Sequence, residues 1–180
     1  MKDLQYPIGT FDLTQDVQYE QIEKWINEIE ALPSKLGEAI SGWDDGQLDT
    51  AYRPGGWTVR QVIHHLADSH LNGMQRFKLA LTEENPVITP YKEDQWAILS
   101  DYKAPVSVSM NLLSSLHERW VIVLRSLGEA EFDRAFIHPE IGKIELSKTI
   151  GMYAWHGNHH LAHITNLALR NGWKEERNAH

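Results

Sequence analysis

One segment near the end of the chain, residues 147–170, constrains the fold most strongly. It has the pattern of one long helix, with a basic last turn followed by glycine at Arg170-Asn171-Gly172. At about 100° per residue, apolar side chains fall on nearly every side of this helix, and polar residues such as Asn158 and Thr165 interrupt them. A helix that is apolar all round is covered by protein on most of its surface. We therefore expect this segment to be buried against the other helices.

The same segment carries four of the ten histidines of the chain within eight residues. They are His156, His159, His160 and His163. All four fall within an arc of roughly 100° on the helix. Burying an imidazole without a partner costs on the order of a few kcal/mol, so this arc needs either a polar network or a bound ion. Histidine is the commonest protein ligand for transition metals, and we interpret the cluster as part of a metal site.

Helical spacing allows two ways to hold an ion. Side chains four residues apart lie about 5–6 Å apart at Cβ, so His159 with His163 or His156 with His160 can converge on one metal. Zincins use the same spacing, with a glutamate directly after the first histidine. Here His160 follows His159, so the zincin motif is absent. Spacing alone leaves both pairs open.

A further ligand is expected from a second predicted helix, which opens with a capping-box pattern at residues 58–61. Catalytic zinc sites usually have three protein ligands and one open position. On the helical wheel His70 lies in the middle of the apolar stripe, His65 on its flank and His64 furthest away, so the wheel does not choose between His70 and His65. Asp68 can orient a ligand, act as a general base, or be a solvated surface residue.

Four segments are predicted to be long helices, and together they predict an all-α four-helix bundle in a single domain, residues 1–180. The expected ranges are 15–40, 58–81, 107–127 and 147–170. Pro33 is expected to kink or split the first of them. Two long crossover loops join the helices, with a short helix expected near 93–99 and a hairpin near 136–144. Bundles of this kind build metal sites from side chains on facing helices. His117, alone on the third helix, either lines such a site or is a hydrogen-bonded core residue.

Composition limits the chemistry. The chain has no cysteine, so disulfides and thiolate catalysis are excluded and any metal is held by nitrogen and oxygen ligands. The net charge of −8 argues against a nucleic-acid partner. No apolar stretch reaches the length that spans a membrane, and the N-terminus lacks the features of a signal peptide. We expect a cytoplasmic protein without a membrane partner.

Two motifs, residues 56–70 and 153–164, resemble the DinB-like superfamily and, more narrowly, the YfiT-type metal-dependent hydrolases. The resemblance extends over nearly the whole chain. It implies a four-helix bundle with one zinc or nickel ion per subunit, in a homodimer. It also implies that the ligands are His65, His159 and His163. The roles of His156, His160, His70 and His117 stay open.

The resemblance implies hydrolysis of a small-molecule substrate. We expect Asp68, or a loop carboxylate such as Glu93 or Asp94, to assist the reaction. Related DinB-like proteins transfer the thiols bacillithiol or mycothiol onto electrophiles. Because this chain has no cysteine, such a thiol would have to be a cosubstrate. A metal-binding or ligand-binding module without catalysis is the third hypothesis.

Overall fold

Four long helices form the body of the protein in the computed structural model, which describes residues 2–173. They are α1 (Tyr19–Ala39), α2 (Val59–Thr82), α3 (Val106–Arg125) and α4 (Leu146–Arg170). Each lies within a few residues of its predicted range, and the four-helix bundle is confirmed. No helix in the described part of the chain is long and apolar enough to cross a membrane.

Short elements fill the connections between the long helices. The short helices are Lys2–Gln5, Asp45–Leu48, Glu93–Trp96 and Glu129–Phe132, with a 3-10 helix at Ser100–Lys103. The predicted hairpin is confirmed as two antiparallel strands, β1 (Ala135–His138) and β2 (Gly142–Glu145). Gly142 has a φ of 92°, in the left-handed region that favours glycine, directly after the turn.

The helices are arranged in a ring in which α4 packs against α1 and α2, and α3 packs against the same two helices from the other side. The N-terminal segment covers part of the remaining surface of α4. A Cβ on Gly151 would lie 2.8 Å from Phe11 and 2.7 Å from Trp25, so this glycine lets both aromatic rings approach the helix backbone. This cover explains why α4 carries apolar residues on nearly every side.

The start of α2 is set by two hydrogen bonds between neighbouring residues. Thr58 accepts a hydrogen bond from the backbone N–H of Gln61, and the Gln61 side chain accepts one from the backbone N–H of Thr58. The predicted capping box is therefore present. On this helix His65 faces α4, where its ring lies about 5 Å from the rings of His156 and His160.

Helix α1 continues through Pro33, so of the two expected effects, a kink or a split, the proline does not split the helix. Proline has no N–H to donate to the carbonyl four residues earlier, which here is that of Ile29. That carbonyl accepts a hydrogen bond from His117 Nδ1 on α3 instead, at 2.5 Å. A contact between helices thus replaces the bond that proline removes from within the helix.

Candidate metal centre

Three histidines from two helices converge in the interior of the bundle. His65 on α2 meets His156 and His160 on α4, with one ring nitrogen from each lying within 4.8 Å of the others. The Nε2 atoms of His65 and His156 are 3.1 Å apart. Zinc–imidazole bonds measure about 2.0–2.1 Å, so two nitrogens on one tetrahedral ion lie about 3.3 Å apart. The donor set therefore fits a small divalent transition-metal ion.

The three rings are neutral near pH 7. Burial lowers the pKa of His65 to about 4. Burial, followed by the neighbouring imidazoles, lowers the pKa of His156 and of His160 well below the usual histidine value. A neutral imidazole keeps the lone pair that binds a metal, so the cluster accepts a cation without first losing protons.

His163, one of the ligands that the family resemblance implies, lies beside this cluster. Its Nε2 is 3.1 Å from the carbonyl oxygen of Gln5, and its ring stacks on Tyr52 with centroids 3.9 Å apart. Its Nδ1 lies 3.3 Å from Nδ1 of His160. Both nitrogens of His163 thus already have partners within the protein.

His159, the other implied ligand on α4, also lies next to the cluster. Its ring stacks on Trp155 with centroids 4.6 Å apart and lies 4.3 Å from the ring of His163. Its Nδ1 is buried without a hydrogen-bond partner. The structure therefore brings His65 together with His156 and His160, and the assignment of His159 and His163 as ligands stays a prediction.

Two more buried histidines continue from the cluster toward α1. His70 Nε2 lies 3.2 Å from His156 Nδ1, and His70 Nδ1 lies 2.9 Å from His117 Nε2. His117 Nδ1 in turn reaches the carbonyl of Ile29. His70, which the helical wheel placed in the middle of the apolar stripe, thus contacts the cluster through His156. His117 is a hydrogen-bonded core residue that is also connected to the site.

Asp68 is bonded to a tyrosine rather than to one of the candidate metal ligands. Its carboxylate accepts a hydrogen bond from the Tyr102 hydroxyl at 2.8 Å, and burial raises its pKa. Among residues 2–173 it makes no hydrogen bond or ion pair with a histidine. Its role as a base stays a prediction. His64, on the same side of α2, is bonded to Ser109 and to the carbonyl of Ala104.

A pocket of about 350 Å³ opens onto the cluster at His156, which is only half-buried. Two larger clefts on the described surface have no histidine among their lining residues. This pocket therefore gives a small molecule access to His156. Its polar lining residues include Ser69, Arg76, Tyr91, Glu93, His138 and Glu140.

Glu93 is one of the two loop carboxylates that we expected from the sequence to assist hydrolysis. It lies in the wall of this pocket. Desolvation raises its pKa, the charge of Asp94 raises it further, and Arg76 opposes the shift. Arg76 was not identified from the sequence, although it lies eleven residues after His65. Eleven residues correspond to about three full turns of helix, so this spacing places both side chains on one face of α2.

The metal-free protein is expected to lose stability as the pH falls from about 6.5 to 4.5. The pKa of His65 and of His117 is about 4 in the folded chain, whereas an unfolded histidine titrates near 6.5. Between these values the unfolded state binds more protons, so acidification favours unfolding by about 2–3 kcal/mol for each such ring at pH 4.5. Urea unfolding with a chelator at several pH values measures the loss. A stability that does not change over this range would contradict the expectation.

Comparison with known proteins agrees with the fold. A model of the DinB superfamily matches residues 20–164. YfiT from Bacillus subtilis, proposed to be a metal-dependent hydrolase with an unusual four-helix bundle topology, superposes with a TM-score of 0.92 at 50% identity, covering 96% of this chain and 99% of that chain. A protein of Bacillus mycoides (strain KBAB4), whose name proposes a metal-dependent hydrolase, is 57% identical over 173 residues, which are 96% of this chain and 100% of that protein.

A more distant structure shares the fold alone. The mycothiol-dependent maleylpyruvate isomerase superposes with a TM-score of 0.62 at 18% identity, covering 78% of this chain and 59% of that chain. The family model spans most of the bundle, including the cluster of His65, His156 and His160. The chain belongs to the DinB superfamily, with YfiT from Bacillus subtilis among its structural relatives.

Proposed function

We propose that this protein is a metal-dependent hydrolase that acts on a small molecule in the pocket beside His156. The convergence of three neutral imidazoles at the end of an open pocket carries the proposal. Three-histidine sites with a free coordination position are typical of catalytic rather than structural metal centres. The names of the relatives point to the same class of activity.

We assign His65, His156 and His160 as the ligands of one zinc or nickel ion per subunit. Their ligand nitrogens lie within 4.8 Å of one another, with Nε2 of His65 and Nε2 of His156 3.1 Å apart, whereas His163 Nε2 is directed at the carbonyl of Gln5. Imidazole nitrogens suit either metal. Pairing of two chains into a homodimer, which the family resemblance implies, stays a prediction.

The chemistry divides between the ion and the residues of the pocket. When bound, such an ion polarises a substrate carbonyl and lowers the pKa of water to near neutral. Glu93 lies at the pocket wall with a raised pKa, and this carboxylate takes up a proton from the attacking nucleophile and delivers it to the leaving group. The Arg76 guanidinium, held by a 3.4 Å hydrogen bond to the Tyr153 hydroxyl, provides a positive group for the substrate.

Transfer of a thiol is the second candidate. The site offers only imidazole ligands, and a divalent ion held by them would lower the pKa of a coordinating thiol, whose proton would pass to solvent. The chain itself has no cysteine, so the thiol would enter as a cosubstrate through the same pocket.

An assay of the zinc-loaded protein separates these functions. We expect ester or amide probes to be hydrolysed without any thiol, and a chelator to abolish the activity. His65→Ala should remove the activity, whereas His64→Gln, at a buried neighbour that is bonded to Ser109, should retain it. Conjugation of monochlorobimane that depends on bacillithiol would support thiol transfer instead. A protein that binds zinc but performs neither reaction would be a binding module.

A further inference from the structure

We propose that two chains of histidines, each ending on a backbone carbonyl, position the two ligands on α4 so that both present Nε2 to the metal. The inference rests on the metal site assigned above. It gives His70, His117 and His163 a common role as positioning residues. The first chain consists of Ile29, His117, His70 and His156, and the second consists of Gln5, His163 and His160.

The first chain has only one consistent arrangement of hydrogens. A carbonyl oxygen can only accept, so His117 Nδ1 carries the hydrogen that bonds to Ile29. A neutral imidazole has one N–H, so His117 Nε2 is bare and accepts from His70 Nδ1 at 2.9 Å. His70 Nε2 then accepts from His156 Nδ1 at 3.2 Å. His156 Nε2 is left with a free lone pair, 3.1 Å from His65 Nε2.

His117 and His70 are fully buried, and their ring nitrogens are bonded only to a carbonyl or to other imidazoles, so neither ring has an acidic partner among the described residues that would favour its charged form. The chain therefore has no second N–H that would allow the order of donors and acceptors to reverse.

Pro33 supplies the acceptor at the end of this chain. In a regular helix the Ile29 carbonyl would accept from the N–H of residue 33, and proline has none. The carbonyl is thus free to accept from His117 across the bundle. Helix α1 contributes no metal ligand. Its Pro33 nevertheless determines, through His117 and His70, which nitrogen His156 offers to the ion.

The second chain orients His160 by the same rule. The Gln5 carbonyl accepts from His163 Nε2 at 3.1 Å, so His163 Nδ1 is bare. That nitrogen accepts from His160 Nδ1 at 3.3 Å, which leaves the lone pair of His160 on Nε2. His163 therefore acts through His160.

Hydrogen bonds to the second ring nitrogen orient a metal-binding histidine and raise its basicity. Neither chain is a route for protons, because each ends on a carbonyl that holds no proton to release. The chains affect metal binding and ring orientation, and this effect separates the proposal from a network that only satisfies buried polar groups.

Imidazole nitrogen-15 NMR of the full-length protein tests the arrangement directly, both without metal and with zinc. We expect hydrogen on Nδ1 of His117, His70, His156 and His160, and on Nε2 of His163. Detection of Nε2–H on His156 in the metal-free protein would overturn the proposal. The experiment does not depend on catalysis, so failure of the hydrolase assay leaves it unaffected.

Zinc affinity, measured by competition with a chromogenic chelator, tests the effect of the first chain. His70→Leu should weaken binding about 10- to 100-fold, the range for residues that support metal ligands. His70→Gln should restore most of the affinity, since its amide offers both a donor and an acceptor. His64→Gln is the control with unchanged affinity. Equal affinity in the Leu and Gln variants would overturn the proposal.

Pro33→Ala tests the chain without touching a histidine, and it applies even if His70→Leu does not fold. The new N–H competes with His117 for the carbonyl of Ile29. We expect the His117 Nδ1–H resonance to shift and zinc affinity to fall. An unchanged resonance would contradict the role of Pro33.

Discussion

Replacing His156 by alanine is expected to empty the metal site, whereas replacing His159 leaves it filled. His156 Nε2 lies 3.1 Å from His65 Nε2, and the ring of His159 stacks on Trp155. Loss of one of three ligands removes a large share of the binding energy and leaves a two-histidine site. Elemental analysis of protein purified without a metal-affinity tag measures the result, and His65→Ala and His160→Ala should behave like His156→Ala.

His163→Ala separates a ligand from a positioning residue. We expect this variant to retain the metal with an affinity reduced about 10- to 100-fold, because His163 acts on His160 through a hydrogen bond. Complete loss of metal in His159→Ala and His163→Ala, with metal retained in His156→Ala, would show that the pair implied by the family resemblance binds the ion. Wild-type protein without stoichiometric metal would remove the site assignment altogether.

Glu93→Gln is expected to lower kcat for the hydrolysed probe by about 10²- to 10⁴-fold, the usual contribution of a general acid–base. The substitution keeps the shape of the side chain and removes its ability to exchange a proton. Metal content should not change, because Glu93 lies in the wall of the pocket rather than in the histidine cluster. Stopped assays over a range of substrate concentrations separate kcat from KM.

The pH profile of the wild type provides a second measurement of Glu93. A base acts only when it is ionised, and the pKa of Glu93 is raised by desolvation and by Asp94. Activity should therefore decline on acidification through a pKa above the usual glutamate value, and this limb of the profile should disappear in Glu93→Gln.

Asp68→Asn is the matched control, since the Asp68 carboxylate is bonded to Tyr102. We expect it to retain most of the activity. An inactive Asp68→Asn variant together with an active Glu93→Gln variant would assign the base to Asp68, as the sequence first suggested.

Structural features that depend only on residues close together in sequence could be predicted from the sequence. The capping box at Thr58, the hairpin near Gly142 and the extents of the four long helices all follow from local spacing, and the structure confirms them. The presence of a histidine cluster on α4 and the participation of α2 also follow from periodicity. Helical geometry decides such features over a few turns, so no distant contact is needed.

The choice among the clustered histidines required the tertiary structure. His156, His159, His160 and His163 share an arc of roughly 100°, and a rotation of α4 by a few tens of degrees changes which pair faces α2. That rotation depends on packing between helices far apart in sequence. The hydrogen bond from the Tyr102 hydroxyl to the Asp68 carboxylate also depends on tertiary packing, because the two residues lie far apart in sequence.

By itself, the sequence determined the bundle, the absence of thiolate ligands and the cluster of histidines that makes a metal site the leading interpretation. Only the tertiary structure decided which histidines converge, because their convergence depends on how α4 is rotated against α2. It also decided the effect of Pro33. In sequence this residue predicts a kinked or split helix, whereas in the fold the helix is continuous and the carbonyl of Ile29 is free for a hydrogen bond from another helix.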